Sequence, residues 1–590
     1  MGMGIAVFMA GFRTAANSIV KDRWMMLVAA FLIMSSNGAF YSFGVYSQVM
    51  KTSLNYNQQT VNTIAFFKDA VVGVVPGLMY DYLGAWSVIL AGSGLNVFGF
   101  LMIWLAITNR IPRPQIWQMC FYHFLSGNSG AFVNTAVVVT SVKNFSGSRG
   151  IVIGLLKGFV GLSGALLMQI YQAIYGNNPS SFILLAVWLP STVNALLIVF
   201  IRPLRQPRTC EKDSEKLYLF LAASVSLAAY LMVVNLVQNF RKVSHLDNEI
   251  LAVFMIVILL LPLIVVLRSN LSSQSREMEK NKDELLGEDL GLSVQEASHS
   301  VSSRFPIPSE IRSEHQTSNN SHEASRCLIP RYFKPDDTLT GLSSQPSRGD
   351  DYTISQALLS LDLWLIFLAS TCGLCSGMMV IDNLGQIGSS LGYSQLQVAT
   401  SISLSSIWNF IGRVGFGFAS ELFLQRKGVP RPLFFAVILA ILCLGQLALA
   451  FNLSGAFYVG SILVGMSFGA QWPVTSAMVS EIFGLKFFGT LFNVTTLATP
   501  LGTYILSVRV AGYLYDREAK KQQSLHALFY EKTSPSLSQY TEKAALLCHG
   551  VQCYRLTFFI TAALSLFACF LSLILTARTR EFYKKQISHL

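Results

Sequence analysis

The sequence predicts an all-α membrane protein with two similar halves of six spanning helices and an inserted helix pair between them, about fourteen helices in all. Composition is the first reason, because the 590 residues are 52% hydrophobic and only 13% charged, with a mean hydropathy of +0.49. A soluble domain of this size could not bury so much apolar surface. The second reason is an internal repeat, since Gly77-Leu-Met-Tyr-Asp81 and Gly417-Phe-Ala-Ser-Glu421 each end an apolar stretch. Repeated bundles of membrane helices build one large class of transporters, with the solute site between the halves.

The individual spans follow from the ~30 Å bilayer core, which needs roughly 20 apolar residues per helix. The first half has six such stretches, at 24–48, 60–80, 87–107, 115–141, 150–175 and 181–201. The second half has another six, at 361–384, 394–416, 431–451, 455–479, 488–513 and 555–577. Two further apolar runs, near 217–240 and 250–267, form the inserted pair. An even insertion preserves the orientation of the second half.

Charge distribution sets the expected topology. Most Lys and Arg residues near helix ends fall on one side, so the positive-inside rule places both termini in the cytosol. The membrane itself would be the plasma membrane or a vacuolar or other endomembrane. The expected organisation is a cytosolic or interfacial lead-in (1–23), a first membrane half with the inserted pair (24–267), a linker (268–353), a second membrane half (354–577) and a cytosolic tail (578–590). The linker is rich in Ser, Glu, Lys, Asn and Pro, which predicts cytosolic disorder.

Several functional classes are disfavoured. The formal charge of +12 comes from cations in loops, without a basic helix carrying interleaved aromatics, so nucleic acid is not an expected partner. We expect no metal or other cofactor, because the C-x-x-C of Cys372 and Cys375 lies inside a span and lacks a partner pair. Cys548 and Cys553 fall in a loop on the non-cytosolic side, where a disulfide is chemically allowed but not required.

The repeated loop motif resembles that of the major facilitator superfamily, which carries a G-x-x-x-D-type sequence after the second helix of each half. Longer segments of the first half are similar to the plant nodulin-like proteins, including the nuclear-fusion-defective group. These segments are RWMMLVAAFLIMSSNGAFYSFGVYS from Arg23, Lys68-Asp69, Tyr80-Asp81-Tyr82-Leu83-Gly84, and Arg149-Gly150 through Ser163. In the second half, Asn409-x2-Gly412-Arg413-x3-Gly417-x2-Ser420-Glu421 is similar to oxalate:formate antiporters and monocarboxylate transporters, distant members of the superfamily. The first motif departs from the pattern, because Tyr82 follows Asp81 where a cation is common.

The motif acids are predicted to act in gating. Asp81 and Glu421 lie where helices meet the cytosol, and an acid there can accept hydrogen bonds from a neighbouring helix N-terminus or pair with a cation. Such a contact would close the cytosolic face and would break when the halves rock apart. The alternative is a helix-end cap without a switching role. The predicted gating set is Gly77, Asp81, Arg149, Gly417, Glu421 and Lys486.

Ionisable groups inside the spans indicate a solute site, because a charge in the bilayer costs several kcal/mol unless it faces a wet cavity or a partner. Lys157 and Arg413 each lie ~12 Å along a helix from its cytosolic end, one in each half. An anion between them would meet a point charge and a planar fork of donors, which suits a carboxylate. Lys68 and Asp69, near the middle of the second span, are predicted to form an ion pair or to carry a coupling proton.

The alternatives are structural. Lys68 can snorkel, Asp69 can pair with Lys157, and Arg413 can serve the cytosolic gate alone. Four other polar residues are predicted to line the site, although hydrogen bonding between helices explains each of them equally well. They are Asn37, His123, Asn409 and Gln471.

The expected function is therefore secondary transport of a small, anionic organic acid by alternating access, with proton coupling as an option. The partners would be the solute, protons and the lipid bilayer, and the protein would be a monomer. An enzyme is not expected, since no nucleophile and base constellation or P-loop is present. The alternative is a transport-inactive membrane sensor or scaffold that acts through its cytosolic loop.

Overall fold

The computed structural model describes most of the chain. The described residues are 22–39, 43, 46, 49–50, 53–54, 56, 58–70, 73–176, 179–204, 213–240, 244–268, 346–452, 455–497, 499–533 and 548–587. The side chains of some residues within these ranges, Asp69 among them, also lie outside the description.

The first half and the inserted pair consist of helices. They are α1 (Arg23–Ser36), α2 (Gln58–Asp69), α3 (Val74–Leu83), α4 (Ala85–Ile107), α5 (Ile116–Asn144), α6 (Arg149–Tyr175), α7 (Pro179–Leu197), α8 (Asp213–Phe240) and α9 (His245–Arg268). Short 3₁₀ turns at Ser146–Ser148 and Ile198–Phe200 precede α6 and follow α7.

The second half is also helical. Its helices are α10 (Ile354–Leu358), α11 (Leu361–Ser390), α12 (Gln395–Lys427), α13 (Arg431–Phe451), α14 (Ala456–Ile482), α15 (Phe488–Thr496), α16 (Thr499–Thr503), α17 (Tyr513–Thr533) and α18 (Gln552–Ile587). A π-helix at Tyr504–Gly512 joins α16 to α17. Within the described residues, ten helices are long and apolar enough to cross a membrane. The all-α membrane fold is confirmed, and the count of fourteen stays a prediction.

Local chemistry sets several helix ends. Asp22 caps α1 by accepting a hydrogen bond from the Trp24 amide at 3.1 Å. Ser394 and Gln397 form a reciprocal capping box at the start of α12. This helix ends at Gly428, whose φ of 63° is readily adopted by glycine.

The helices continue through both repeated motifs, although each motif ends an apolar stretch. Asp81 belongs to the last turn of α3, and Glu421 lies inside α12, which continues to Lys427. The hydropathy pattern marks where the apolar stretch stops. The helix continues beyond that point because polar residues also form the main-chain hydrogen bonds of a helix.

Three predicted spans are discontinuous. The helix at the start of the first span ends at Ser36, and the second span is divided into α2 and α3. The span predicted at 488–513 is divided among α15, α16 and the π-helix, and α17 then extends it to Thr533. Irregular backbone at membrane depth is tolerated where it is buried in protein or lines a cavity. These breaks place Lys68 at the end of a helix rather than in the middle of one.

Two predicted boundaries also shift. The last residues assigned to the disordered linker, 346–353, are described and pack against the second half, where Tyr352 is 5% exposed. The predicted tail from 578 continues α18 as far as Ile587. Cys548 and Cys553 form a disulfide, the option that the sequence had left open.

The two halves meet mainly along two helix pairs, α6 with α12 and α3 with α15, and α6 also contacts α14. The largest buried apolar cluster includes residues from both halves, among them Phe159 on α6, Val414 on α12 and Phe492 on α15. We call the end of the bundle that carries Asp81 and Glu421 the acid-motif face. The interface between the halves therefore runs from this face into the core.

Candidate functional site

Lys157 lies on α6 at the contact between the halves and is 4% exposed. Its Nζ donates a hydrogen bond to Asn134 Oδ1 at 3.2 Å. Two rings of the second half complete its surroundings, because Nζ lies 5.1 Å from the Trp472 ring centre and 5.0 Å from that of Phe492. Aromatic faces attract a cation but do not neutralise its charge.

Arg413 lies on α12 and is also 4% exposed. Its Nε donates to Asn409 Oδ1 at 2.7 Å, one helical turn earlier. Its Nη1 donates to the main-chain oxygen of Lys157 at 2.8 Å. Arg413 therefore reaches from the second half to the first, beside the other buried cation.

Both cations are hydrogen-bonded to neutral groups. Among the described residues, no carboxylate forms a salt bridge with Lys157 or Arg413. The side chain of Asp69, the sequence-predicted partner of Lys157, lies outside the description. Two buried cations whose described partners are all neutral are energetically costly, so the pair creates a positively charged region between the halves.

The acid-motif face is closed by two related contacts. Asp81 Oδ2 on α3 accepts hydrogen bonds from the Thr490 amide at 2.9 Å and from its hydroxyl at 2.7 Å, in the first turn of α15. Glu421 Oε2 on α12 accepts from the Gly150 amide at 2.8 Å, in the first turn of α6. Each acid thus caps a helix N-terminus that belongs to the opposite half, where the helix dipole favours a negative charge.

Replacing Asp81 by alanine is expected to loosen the start of α15. The Thr490 amide would lose its acceptor, and the loss of such a cap costs about 1 kcal/mol, or roughly a fivefold change in the local opening equilibrium. Hydrogen exchange of a peptide that covers 484–496 should accelerate by this factor. Asp81→Asn keeps an acceptor oxygen and should change exchange less. Unchanged exchange in the alanine variant would contradict the capping role.

The predicted gating glycines lie at close backbone approaches. A Cβ placed on Gly77 would lie 2.7 Å from the Gly489 oxygen, and one on Gly417 would lie 2.7 Å from the Gly150 oxygen. Both obstacles are main-chain atoms of the opposite half, which cannot rotate away. These two glycines therefore allow the halves to meet as closely as they do.

A buried charge network supports Glu421. Arg431 is fully buried and donates to Glu421 Oε2 and to Glu481 Oε1, each at 2.7 Å. It also donates to the Ser420 hydroxyl at 2.8 Å, and Tyr583 donates to Glu481 Oε2 at 3.1 Å. Arg431 thereby holds the acid that caps α6 across the interface.

The predicted gating cations differ in their contacts. Arg149 joins the halves, because its Nη1 donates to the Ser480 oxygen at 2.7 Å while its Nε donates to the Ser146 oxygen. The Lys486 Nζ lies 5.8 Å from the neighbouring Phe487 ring, and its amide donates to Asp351 Oδ1 at 3.0 Å. The described contacts of Lys486 therefore lie within the second half and with the residues just before it, and none of them reaches the first half.

Three other predicted residues lie inside the first half. Asn37 donates to Asn194 Oδ1 at 2.9 Å, the helix-to-helix bond that was the alternative for this residue. His123 is fully buried, and its Nδ1 lies 3.0 Å from the Met119 oxygen. The His123 ring and the Lys68 Nζ both lie within 6 Å of the Phe43 ring, at 5.8 and 5.9 Å. The described contacts of Asn37, His123 and Lys68 do not involve Lys157 or Arg413.

Gln471 does not face the cation pair. It is fully buried within the second half, donates to the Ser467 oxygen at 3.3 Å, and packs so closely on Gly373 that a Cβ there would lie 3.2 Å from its Cδ. The next residue, Trp472, faces Lys157 instead. A one-residue step on a helix turns the side chain by about 100°, which hydropathy cannot resolve in an apolar helix.

Sequence reasoning missed part of the acid-motif face and site. Glu481 is an acid just past the end of the span predicted at 455–479, and this position could have indicated it. Phe492 and Thr490 have no comparable signal, because both are ordinary residues of an apolar helix. No group of three His, Cys, Asp or Glu residues within the described part of the chain could hold a metal ion.

Two family models and several curated proteins are similar to this chain. Residues 23–267 match the family model described as Nodulin-like, and residues 350–534 match the one described as NFD4, C-terminal domain. The chain is 24% identical over 575 residues to Protein NUCLEAR FUSION DEFECTIVE 4 of Arabidopsis thaliana, covering 95% of this chain and 90% of that protein. It is 27% identical over 173 residues to Probable transporter MCH1 of Yarrowia lipolytica, covering 28% of this chain and 30% of that protein.

Two solved transporter structures match most of the chain at low sequence identity. The proton:xylose symporter XylE bound to 6-bromo-6-deoxy-D-glucose has a TM-score of 0.48 at 10% identity, covering 94% of this chain and 95% of that chain. The transporter FucP in the outward conformation has a TM-score of 0.45 at 13% identity, covering 93% and 98%.

Proposed function

Because the chain belongs to the nodulin-like, NFD4-type proteins of the major facilitator superfamily, we propose that it is a secondary transporter for a small anionic solute. The solute would be an organic acid, and its carboxylate would bind between the two halves. Transport would proceed by alternating access, in which the halves rock about a central site.

One observation carries this proposal. Lys157 and Arg413 are both buried at the interface, and their described hydrogen-bond partners are neutral. A carboxylate solute would bring a negative charge to this site, where the ammonium would act as a point charge and the guanidinium as a fork of donors. Trp472 and Phe492 would pack against the apolar part of such a solute.

The closed acid-motif face fits one state of the transport cycle. To open this face, the Asp81 carboxylate must leave the start of α15 and the Glu421 carboxylate must leave the start of α6. Arg413 must also release the Lys157 oxygen. Binding an anion gives Arg413 a stronger partner than a main-chain oxygen, so solute binding would favour this release.

Further parts of the proposal rest on the sequence. The acid-motif face would be cytosolic, as the positive-inside rule suggests, with both termini on that side. Asp69 would carry a coupling proton, the protein would act as a monomer, and its membrane would be the plasma membrane or an endomembrane.

The test is uptake into proteoliposomes across a panel of mono- and dicarboxylates with an imposed pH gradient. Lys157→Ala and Arg413→Ala should each reduce uptake of the preferred solute at least tenfold, because a hydrogen bond to a charged group contributes about 1.5–3 kcal/mol. Lys427→Ala, which removes an exposed cation from the end of α12, is the matched control and should keep wild-type uptake. Asp69→Asn should abolish the dependence on the pH gradient.

Two outcomes would count against this proposal. A strong flux that persists in Lys157→Ala, Arg413→Ala and Asp69→Asn would show that the solute binds elsewhere. No flux of any carboxylate through correctly folded wild-type protein would favour the alternative, a transport-inactive sensor or scaffold.

A further inference from the structure

The last residues before the second half form a strap across the acid-motif face. We use this name for residues 346–352, which lie against the loop of residues 483–487 between α14 and α15. The Gly349 amide donates to the Ile482 oxygen at 3.0 Å, and the Tyr352 amide donates to the Phe483 oxygen at 3.1 Å. The strap therefore pairs with this loop through its main chain.

Asp351 makes the most specific contact of the strap. Its Oδ1 accepts hydrogen bonds from two successive amides of the loop, Leu485 at 2.8 Å and Lys486 at 3.0 Å. The loop bends to present them at Gly484, where φ is +77° and a Cβ would lie 2.7 Å from the Asp350 oxygen. Only glycine adopts this conformation readily and leaves space for the strap.

The strap is fixed to the second half at both ends. Arg348 forms a salt bridge with Asp362 at 2.8 Å and donates to the Arg578 oxygen at 2.6 Å. The Tyr352 ring packs edge-on against Phe483 at 5.2 Å, and its hydroxyl donates to the Pro346 oxygen at 2.7 Å. These contacts hold Asp351 in place between the anchors.

The loop under the strap leads directly into the interface between the halves. It ends at the start of α15, whose Thr490 amide is held by Asp81 of the first half. Lys143, on α5 of the first half, interacts electrostatically with both Asp81 and Asp351. The strap thus borders the contact that must break for the acid-motif face to open.

We propose that the strap is a positioning element that holds the α14–α15 loop in its closed-face conformation, so that release of Asp351 shifts the halves toward an open acid-motif face. Only the consequence for transport rests on the proposed function, because the closure of this face is a property of the structure.

The experiment measures the distance between the halves in the full-length protein in lipid nanodiscs. Spectroscopic labels are introduced through non-natural residues at Leu83 on α3 and Lys427 on α12, both exposed at the acid-motif face. In Asp351→Ala, the ratio of open to closed molecules should rise roughly fivefold, as expected when about one net hydrogen bond is lost from the closed state.

Two controls separate the contact from general effects of charge. Asp350→Ala removes the neighbouring exposed acid, whose carboxylate accepts from Ser347 rather than from the loop, and should keep the wild-type distribution. Asp351→Asn keeps an acceptor oxygen and should restore most of the closed population. Arg348→Ala detaches one anchor of the strap and should shift the ratio in the same direction as Asp351→Ala. Arg348→Ala also tests the role of the strap if Asp351→Ala fails to fold.

Unchanged distances in both Asp351→Ala and Arg348→Ala would overturn the proposal, as would an equal shift in Asp350→Ala. Uptake by the same variants is measured separately. Absence of uptake in every variant, including wild type, would reject the transport proposal while leaving the distance result valid.

Discussion

Replacing Arg431 by alanine is expected to destabilise the protein by roughly 3–5 kcal/mol, because a buried ion pair loses one partner. Arg431 is fully buried between Glu421 and Glu481, and without it two buried carboxylates lack a cation. The measurement is the temperature at which heating halves the monodisperse peak of the detergent-solubilised protein in size-exclusion chromatography. Glu421 would also lose the residue that holds it against α6, so the acid-motif face should open more often.

The matched control for this variant is Arg426→Ala, which removes an exposed cation near the end of α12 and should leave the melting temperature unchanged. Combining Arg431→Ala with Glu421→Gln and Glu481→Gln removes the uncompensated charges and should recover part of the loss. A melting temperature for Arg431→Ala that matches the Arg426→Ala value would show that the network contributes little.

Replacing Gly417 by valine is expected to prevent the acid-motif face from closing. A Cβ at this position would lie 2.7 Å from the Gly150 oxygen and 2.9 Å from the Gly154 Cα. Overpacking of this kind costs about 1–3 kcal/mol, and here the cost falls on the closed state, in which the two helices touch. Solvent accessibility of α6 at this face should rise, and uptake should fall because alternating access requires both states.

Gly415→Val is the matched control, because it lies on the same helix two residues away and a Cβ there meets nothing within 4 Å. It introduces the same side chain and the same change in helix propensity without touching the first half. Equal accessibility and uptake in the two valine variants would mean that the Gly417 contact does not limit closure.

The sequence indicated the type of fold and its repeats, and the physical reason is the bilayer. Apolar stretches of about 20 residues must be helical in lipid, so hydropathy predicts an all-helical membrane protein. The relation between Asp81 and Glu421 also follows from the sequence, because the motif repeats at equivalent positions. Hydropathy could not reveal the breaks in the spans predicted at 24–48, 60–80 and 488–513, since it reports apolar character rather than backbone geometry.

The contacts of individual side chains were less accessible to sequence reasoning. Lys157 and Arg413 stood out because charges are rare in apolar helices, and the tertiary structure brings them together. Trp472 and Gln471 could not be distinguished as neighbours of Lys157, since both are adjacent residues of one helix. In the sequence, Arg431 is one of many cations at helix ends, because its partner Glu481 is 50 residues away and only folding brings the two together.

The linker shows most clearly what the sequence predicts and what only the structure reveals. Residues 269–345 lie outside the described part of the chain, so their disorder stays a prediction. Composition averages over many residues and cannot identify a short segment that docks, such as 346–352. Asp351 acts through the loop amides of Leu485 and Lys486, more than a hundred residues later in the chain. The sequence alone determined that the chain is a two-part bundle of membrane helices with charged residues inside it. Tertiary structure alone decided which charges meet across the interface, because hydrogen bonds and ion pairs depend on distances of a few ångströms that no hydropathy pattern records.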